Sequence, residues 1–228
     1  MLNRHAKAAY FALMAGPMRL NGVLYRRFRA PRSGTVKVQL GPGQKKYLDG
    51  WVNVDANPMT AKIDLWADIR YRLPFVDGTV DVFYSHHVIE HLPDNLLPFH
   101  FREMYRCLKP GGFIRVGGPN GDAAMRKYVA GDSAWFPDFP DNRQSVGGRL
   151  ENFIFCRGEH LTILTQSYLE EIMAPIGFTQ VRQCVSAEQT FHPEMIQQSL
   201  LSMEWVEESH EFQHSLIIEA DKPAAPTA

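Results

Sequence analysis

In the segment VKVQLGPGQKKYLDGWVNVD (36–55), Gly41 and Gly43 sit in a tight turn after one short apolar run, and Asp55 ends the next. These residue types suit a nucleotide-like ligand. Glycine lets the backbone come close to it, and a carboxylate at a strand tip accepts hydrogen bonds from both ribose hydroxyls. A second stretch, His87-Val88-Ile89-Glu90-His91, matches the HxxEH pattern, in which two histidines on one helical face hold zinc and the glutamate acts as base. Two features weigh against a zinc protease: the stretch follows directly on an apolar run, and Pro93 soon interrupts a helix that such an enzyme needs in full. Glu90 and His91 at a helix start can equally tie that helix to neighbouring loops. The glycine turn and acid also fit NAD. Against NAD, the linker from Gly43 to Trp51 is short for a crossover helix, and GxGxxG fails at Lys46.

The elements around these residues alternate. Val36, Val38 and Leu40 form one strand pattern and Trp51–Val54 the next, followed by apolar runs at Ile63–Ala67, Val80–Tyr84 and Phe113–Val116. Between the last two, Leu96, Leu97, Phe101, Met104 and Leu108 recur at helical spacing, which predicts a helix over Pro93–Leu108 stopped by Lys109-Pro110-Gly111-Gly112. A further helix is predicted over Thr165–Ile176, ending at Gly177, with strands at Phe178–Val185 and His214–Ala220. Strands separated by helices imply a mainly parallel sheet covered on both faces, with its ligand at the carboxyl ends. Gly41, Asp55, Asp68, Ser85–His87 and Gly117–Asn120 all fall at such ends, and five successive tips carry more weight than any one of them.

The chain has 228 residues, is 45% hydrophobic and carries a net charge of −1, which suits one domain with a full core and excludes a nucleic-acid binder working through bulk charge. The average hides an asymmetry. Ten of the 24 Lys and Arg residues precede Asp49 with no acid among them, leaving 14 basic against 25 acidic residues in the remainder. Residues 1–32 read as one or two basic amphipathic helices broken near Gly16-Pro17. Leu2, Ala9, Leu13, Leu20, Leu24 and Phe28 form an apolar face, suited to packing on the domain or to contact with anionic lipid. The main domain is expected over 33–221. Within it, 121–160 is read as an irregular aromatic insertion, a lid or acceptor surface, and 222–228 as a frayed tail. Cys107, Cys156 and Cys184 form neither a metal pattern nor a disulfide framework, consistent with reduced thiols in the cytoplasm.

Together, LGPG with GWVNVD, ADI with LPF, VDVFYSHHVIEHL and CLKPGGFIRVGGPN resemble the class I S-adenosylmethionine-dependent methyltransferases. The nearest likeness is to the small bacterial group related to the type 11 methyltransferase domain, often met near cell-surface polysaccharide genes. The resemblance is strong over Val36–Asn120 and weaker through RGEHLTIL and HSLIIEADK. It implies an α/β, Rossmann-like doubly wound sheet of seven strands, mainly parallel with the last antiparallel, behind the basic helical extension. It implies S-adenosyl-L-methionine as cofactor, with Gly41 and Gly43 under the methionine part, Asp55 on the ribose, and Asp68 and Ile69 beside the adenine. Ser85 and His86 would line the cofactor near its sulfonium. Gln39 stands where many relatives have an acid and can hydrogen-bond the amino group, and Lys45 replaces a third glycine.

A sulfonium methyl is already activated, so the protein mainly aligns the reactants and excludes water. If the acceptor is a hydroxyl, a histidine should take its proton, and the candidates are His86, His87 and, in the RGEH segment, His160. His160 and His87 are the residues to which the reading assigns catalysis. Some quinone O-methyltransferases carry a Glu-x-x-Glu-His metal site in the corresponding stretch, with His87 standing for the first glutamate, but the reading expects no bound metal. Trp135–Phe155 with Arg143, Arg149 and Arg157 suggests a sugar, glycolipid or other small-molecule acceptor, handled in the cytoplasm with peripheral contact at the inner membrane face. A non-catalytic cofactor-binding module and an NAD-linked oxidoreductase are the alternatives. The sequence is silent on oligomeric state.

Overall fold

The computed structural model describes residues 4–44, 46–59, 61–185, 189–197, 200–201 and 214–225. Lys45, at which the third glycine of the longer motif is replaced, lies outside them. The chain opens with α1 (Arg4–Phe28), then β1 (Lys37–Leu40), β2 (Val52–Asp55), the two-residue β3 (Leu65–Trp66) and β4 (Val80–His86). Next come α2 (Leu97–Cys107), β5 (Leu108–Pro119), α3 (Gly121–Val129), α4 (Val146–Phe155), α5 (Gln166–Met173), β6 (Thr179–Cys184) and β7 (Ser215–Asp221). The seven strands form one sheet in the order β3-β2-β1-β4-β5-β7-β6, parallel through β5, with β7 antiparallel to both neighbours. This is the expected doubly wound arrangement.

Each face of the sheet has its own core. Val38, Leu40, Phe83 and Ile114 pack beneath Leu97, Phe101 and Met104 of α2. On the other face Trp51, Val82, Tyr84 and Phe113 pack with Ile196 and Leu200. Between β5 and β7, Arg115 and its register partner Glu219 form an ion pair with an Nη1–Oε1 distance of 2.6 Å and no exposure on either side. Glu219 also accepts from the Thr190 hydroxyl and the Phe191 N–H, so the buried charge is well solvated by the protein.

Four expectations change. First, α1 is one helix running through Gly16-Pro17, where a break was expected. Proline removes one N–H from the helical ladder, but both residues are exposed, so water can satisfy the carbonyl left over. Second, α1 packs by the opposite side. Met18 and Tyr25 are buried, Tyr10 donates to the Ala56 carbonyl at 2.7 Å, and Asn21 donates to that of Trp66 at 2.8 Å. The helix thereby lies along β3, the edge of the sheet, while Leu13, Leu20, Leu24 and Phe28 face outward. Third, 121–160 is largely helical and contains α3 and α4. The Asn120 side chain accepts from the Ala123 N–H and the Ser145 side chain from the Gly148 N–H, capping both helices. Trp135, Phe136, Phe153 and Ile154 form a small separate core there. Fourth, the segment after β7 is tied down at its start: the Lys222 ammonium donates to the carbonyls of Tyr105 and Leu108.

Candidate active site

The carboxyl ends of β1 and β2 and the turn after β3 open into a cleft of about 580 Å³, within the range of small-molecule and cofactor sites. Two smaller clefts, of about 470 and 370 Å³, lie along the flank of α1 away from most of the strand tips. The Gly41 N–H donates to the Val54 carbonyl at 2.8 Å, drawing the glycine turn over β2. Gly41 has φ +70°, and a Cβ built on it would lie 2.4 Å from Cγ2 of Val88, so glycine is needed for both backbone and space. Gly43, at φ +56°, has an open cradle above it.

Asp55 lies in this cradle. Its Oδ1 accepts from the Asn57 N–H at 2.8 Å, and among the described residues its Oδ2 has a long contact, 3.4 Å, with the Gly43 N–H. Burial pushes its carboxyl above the usual range, partly offset by those backbone donors. A desolvated carboxylate with one oxygen nearly free gains from two hydroxyl donors. Asp68 and Ile69 line the far wall beside Leu92. Asp68 is held by Arg70, whose Nη2 donates to Oδ2 at 2.6 Å and whose guanidinium lies 4.1 Å from the ring centre of Phe11. Asp68 therefore shapes the wall with its charge already matched.

His87 and His91 form the third wall. His87 directly follows β4 at φ +55°, a strained backbone for a side chain of this size. Its Nδ1 lies 3.3 Å from Oε1 of Glu90 and its Nε2 3.1 Å from the Ser215 hydroxyl. Glu90 is buried, and although burial opposes its charge, His87 and His91 hold its carboxyl below the usual range. Neither Glu90 oxygen accepts a hydrogen bond of ordinary geometry, so the 3.3 Å approach of His87 is a charge contact more than a directed bond. Gly118 makes room for this carboxylate: a Cβ there would lie 3.0 Å from Oε2 and 2.6 Å from Leu164.

The RGEH segment does reach this corner. The N–H groups of Leu161 and Thr162 donate to the Glu90 carbonyl at 2.7 and 3.2 Å, which sets His160 beside Glu90 with Nε2 4.0 Å from Oε1. His160 is mostly buried, and burial lowers its pKa, so it is neutral near pH 7. It does not line the cleft; it lies beside His91, their ring centres 5.0 Å apart.

Of the residues singled out in the sequence, Gly41, Gly43, Asp55, Asp68, Ile69 and His87 line the cleft. Gln39, Ser85 and His86 are buried and do not line it; His86 has Nε2 3.4 Å from the Ser215 hydroxyl. The aromatic pair Trp135 and Phe136 is buried in the core of the insertion. Arg143 and Arg157 pair with Asp141, and Arg149 with Asp138. Sequence reasoning missed the contribution of α1: Lys7, Ala8 and Phe11 form one side of the cleft, and Lys7 pairs with Glu159 across its mouth. The signal available was Phe11, an aromatic on the helix face opposite Leu13, Leu20 and Leu24.

These residues fit S-adenosylmethionine. The Gly41–Gly43 cradle admits no side chain at its base, Asp55 offers an underused carboxylate, and Ile69 and Leu92 give apolar contact for a flat base.

The methyltransferase domain family matches residues 49–116, which run from the approach to β2 into β5 and include Asp55, Asp68 and His87. Among the curated proteins, none matches the sequence. Solved structures share the fold. A SAM-dependent methyltransferase from Archaeoglobus fulgidus superposes with a TM-score of 0.52 at 17% identity, over 93% of this chain and 100% of that one. A SAM-dependent methyltransferase from Thermotoga maritima gives 0.50 at 16%, over 95% and 94%. The plantazolicin methyltransferase BpumL, solved with SAH, gives 0.51 at 15%, over 95% and 88%. The family match falls on the strand tips that build the cleft, and the seven-stranded fold is the one these methyltransferase structures share.

Proposed function

We propose that the enzyme methylates a hydroxyl of a lipid-linked acceptor, a glycolipid being the class that fits best, while resting on an anionic membrane surface. The observation that carries this reading is the double role of α1. Its first turns wall the cofactor cleft, and its outward side presents Leu13, Leu20, Val23, Leu24 and Phe28 to solvent, with Leu13 72% and Phe28 74% exposed. Few soluble surfaces leave such residues together on one helix. Arg27, Arg29 and Arg32 at the end of the helix supply the charge that anionic headgroups attract. Among the described residues no helix is long and apolar enough to cross a membrane, so contact would be along the surface.

The cofactor, held by Asp55 and the glycine cradle, supplies a methyl group on a sulfonium. His87 is the group placed to take the acceptor proton, because it lines the cleft and Glu90 lies behind its Nδ1 to stabilise the resulting imidazolium. Nε2 is the nitrogen left to take the proton, and the acceptor hydroxyl would replace the Ser215 hydroxyl, now 3.1 Å away, as its partner. Ile69 and Leu92 give the cleft an apolar wall that limits water around the reacting groups.

One assay tests both halves. Labelled methyl transfer is measured on a glycolipid extract presented in vesicles with and without anionic lipid. Transfer should rise with anionic lipid, and His87→Gln should lower kcat by about a hundredfold or more while SAH still binds. Equal transfer to a free sugar in the absence of vesicles would refute the membrane half, and full activity of His87→Gln would refute the base.

A further inference from the structure

Three side chains from two separate segments converge beside the cleft with no hydrogen bond among them. Oε1 and Oε2 of Glu90 are buried and lack hydrogen-bond partners. His91 directs Nε2 at Oε1 from 3.8 Å and His160 does so from 4.0 Å. The far nitrogen of each ring is already committed. Nδ1 of His91 lies 2.9 Å from the Glu159 carbonyl, and Nδ1 of His160 lies 3.1 Å from that of Ile154. A carbonyl only accepts, so each Nδ1 carries a proton and, in the neutral ring, each Nε2 presents a lone pair. With neutral rings, two lone pairs and a carboxylate oxygen face one another, and apart from His87 at 3.3 Å nothing described offers that oxygen a positive partner, so a cation between them would be stabilising.

We propose that Glu90, His91 and His160 form a binding site for a divalent transition-metal ion of the zinc type. The ligand atoms already lie within 4.8 Å of one another. A tetrahedral site with bonds of about 2.0–2.1 Å needs them about 3.3 Å apart, a contraction that small ring movements supply. Both histidines have a backbone carbonyl behind the distal nitrogen, the second partner that metal-bound histidines require. Two imidazoles and one carboxylate favour zinc, cobalt or iron over magnesium. The cluster is anchored from both sides, since Leu161 and Thr162 are bonded to the Glu90 carbonyl. His91 lines the cleft, so the remaining coordination position opens toward the acceptor. There the ion would lower the pKa of a bound hydroxyl whose proton passes to His87. Only that use rests on the hydroxyl-acceptor reading; the site itself does not.

The test uses untagged full-length protein stripped with chelator. Co²⁺ is titrated and followed by its visible absorption, and Zn²⁺ and Mg²⁺ are titrated by calorimetry. One Zn²⁺ per chain is expected, with Co²⁺ giving the bands of a tetrahedral site and Mg²⁺ binding at least tenfold more weakly. His160→Ala should lower zinc affinity at least about tenfold while SAH affinity stays unchanged, because His160 does not line the cleft. His91→Ala, at a half-exposed position, should lower zinc affinity similarly and guards against misfolding of the first variant. Absence of stoichiometric zinc binding, zinc affinity in both variants equal to that of the parent, or a preference for magnesium would each overturn the site. Zinc binding lost in His160→Ala supports it even if no lipid acceptor is methylated, so its failure is distinct from failure of the acceptor reading.

Discussion

Replacing Gly41 with alanine separates two costs that this position imposes. An alanine at φ +70° is held in the left-handed region, which costs about 1–2 kcal/mol. Its Cβ would also lie 2.4 Å from Cγ2 of Val88, and relieving such an overlap in a packed site costs about 1–3 kcal/mol more. The sum, about 2–5 kcal/mol, is a large part of the stability of an ordinary domain. Val88→Ala removes the opposing methyls and should cost about 1 kcal/mol by itself, since Val88 is half-buried. In the double variant the overlap vanishes and only the backbone strain remains. Urea unfolding of all four proteins should therefore show the double variant about 1–3 kcal/mol more stable than the sum of the single changes. SAH affinity should follow the same order, because both residues line the cleft. Additivity within about 0.5 kcal/mol, or a Gly41→Ala protein as stable as the parent, would refute the argument.

Two further substitutions probe the interior. His100 is buried with Nδ1 3.2 Å from the Ile69 carbonyl and no partner at Nε2, and burial pushes its pKa down to about 4 from 6.5. The unfolded chain then binds more protons between those values, so stability contributed by the neutral ring is present at pH 7 and falls as pH drops through 6.5 toward 4. About 2 kcal/mol should be lost between pH 7.5 and 5, and His100→Leu should remove that part of the slope in urea titrations; an unchanged slope would contradict it. Arg115→Met strands the buried Glu219 and should cost about 3–5 kcal/mol, much of it recovered when Glu219→Gln is added; a Tm fall that Glu219→Gln deepens would contradict this reading.

The part of the site that was legible in the sequence is local. Gly41, Gly43 and Asp55 lie within one β-turn-β stretch, where spacing alone brings them to one cleft, and the alternation of apolar runs marked the strand tips. The corner built by Glu90, His91 and His160 joins segments distant in sequence through backbone bonds to the Glu90 carbonyl, and periodicity carries no trace of such bonds. In α1 both sides are apolar. The leucines suggested the packing side, yet Tyr10, Met18, Asn21 and Tyr25 supply the hydrogen bonds and shape that fit the β3 edge. In 121–160 the many Gly and Pro residues suggested irregular chain, whereas the caps at Asn120 and Ser145 start two helices whose aromatics fill a private core.

The proposed grip of the Asp55 carboxylate on the ribose of the cofactor is the contact on which the assignment of this cleft depends. Calorimetric titration of SAH into the parent and into Asp55→Ala measures it directly. The parent should bind, and the variant, folded with an unchanged circular dichroism spectrum, should bind at least tenfold more weakly, a loss of about 1.4 kcal/mol or more. Equal affinity in the folded variant would contradict the placement of the cofactor in this cleft.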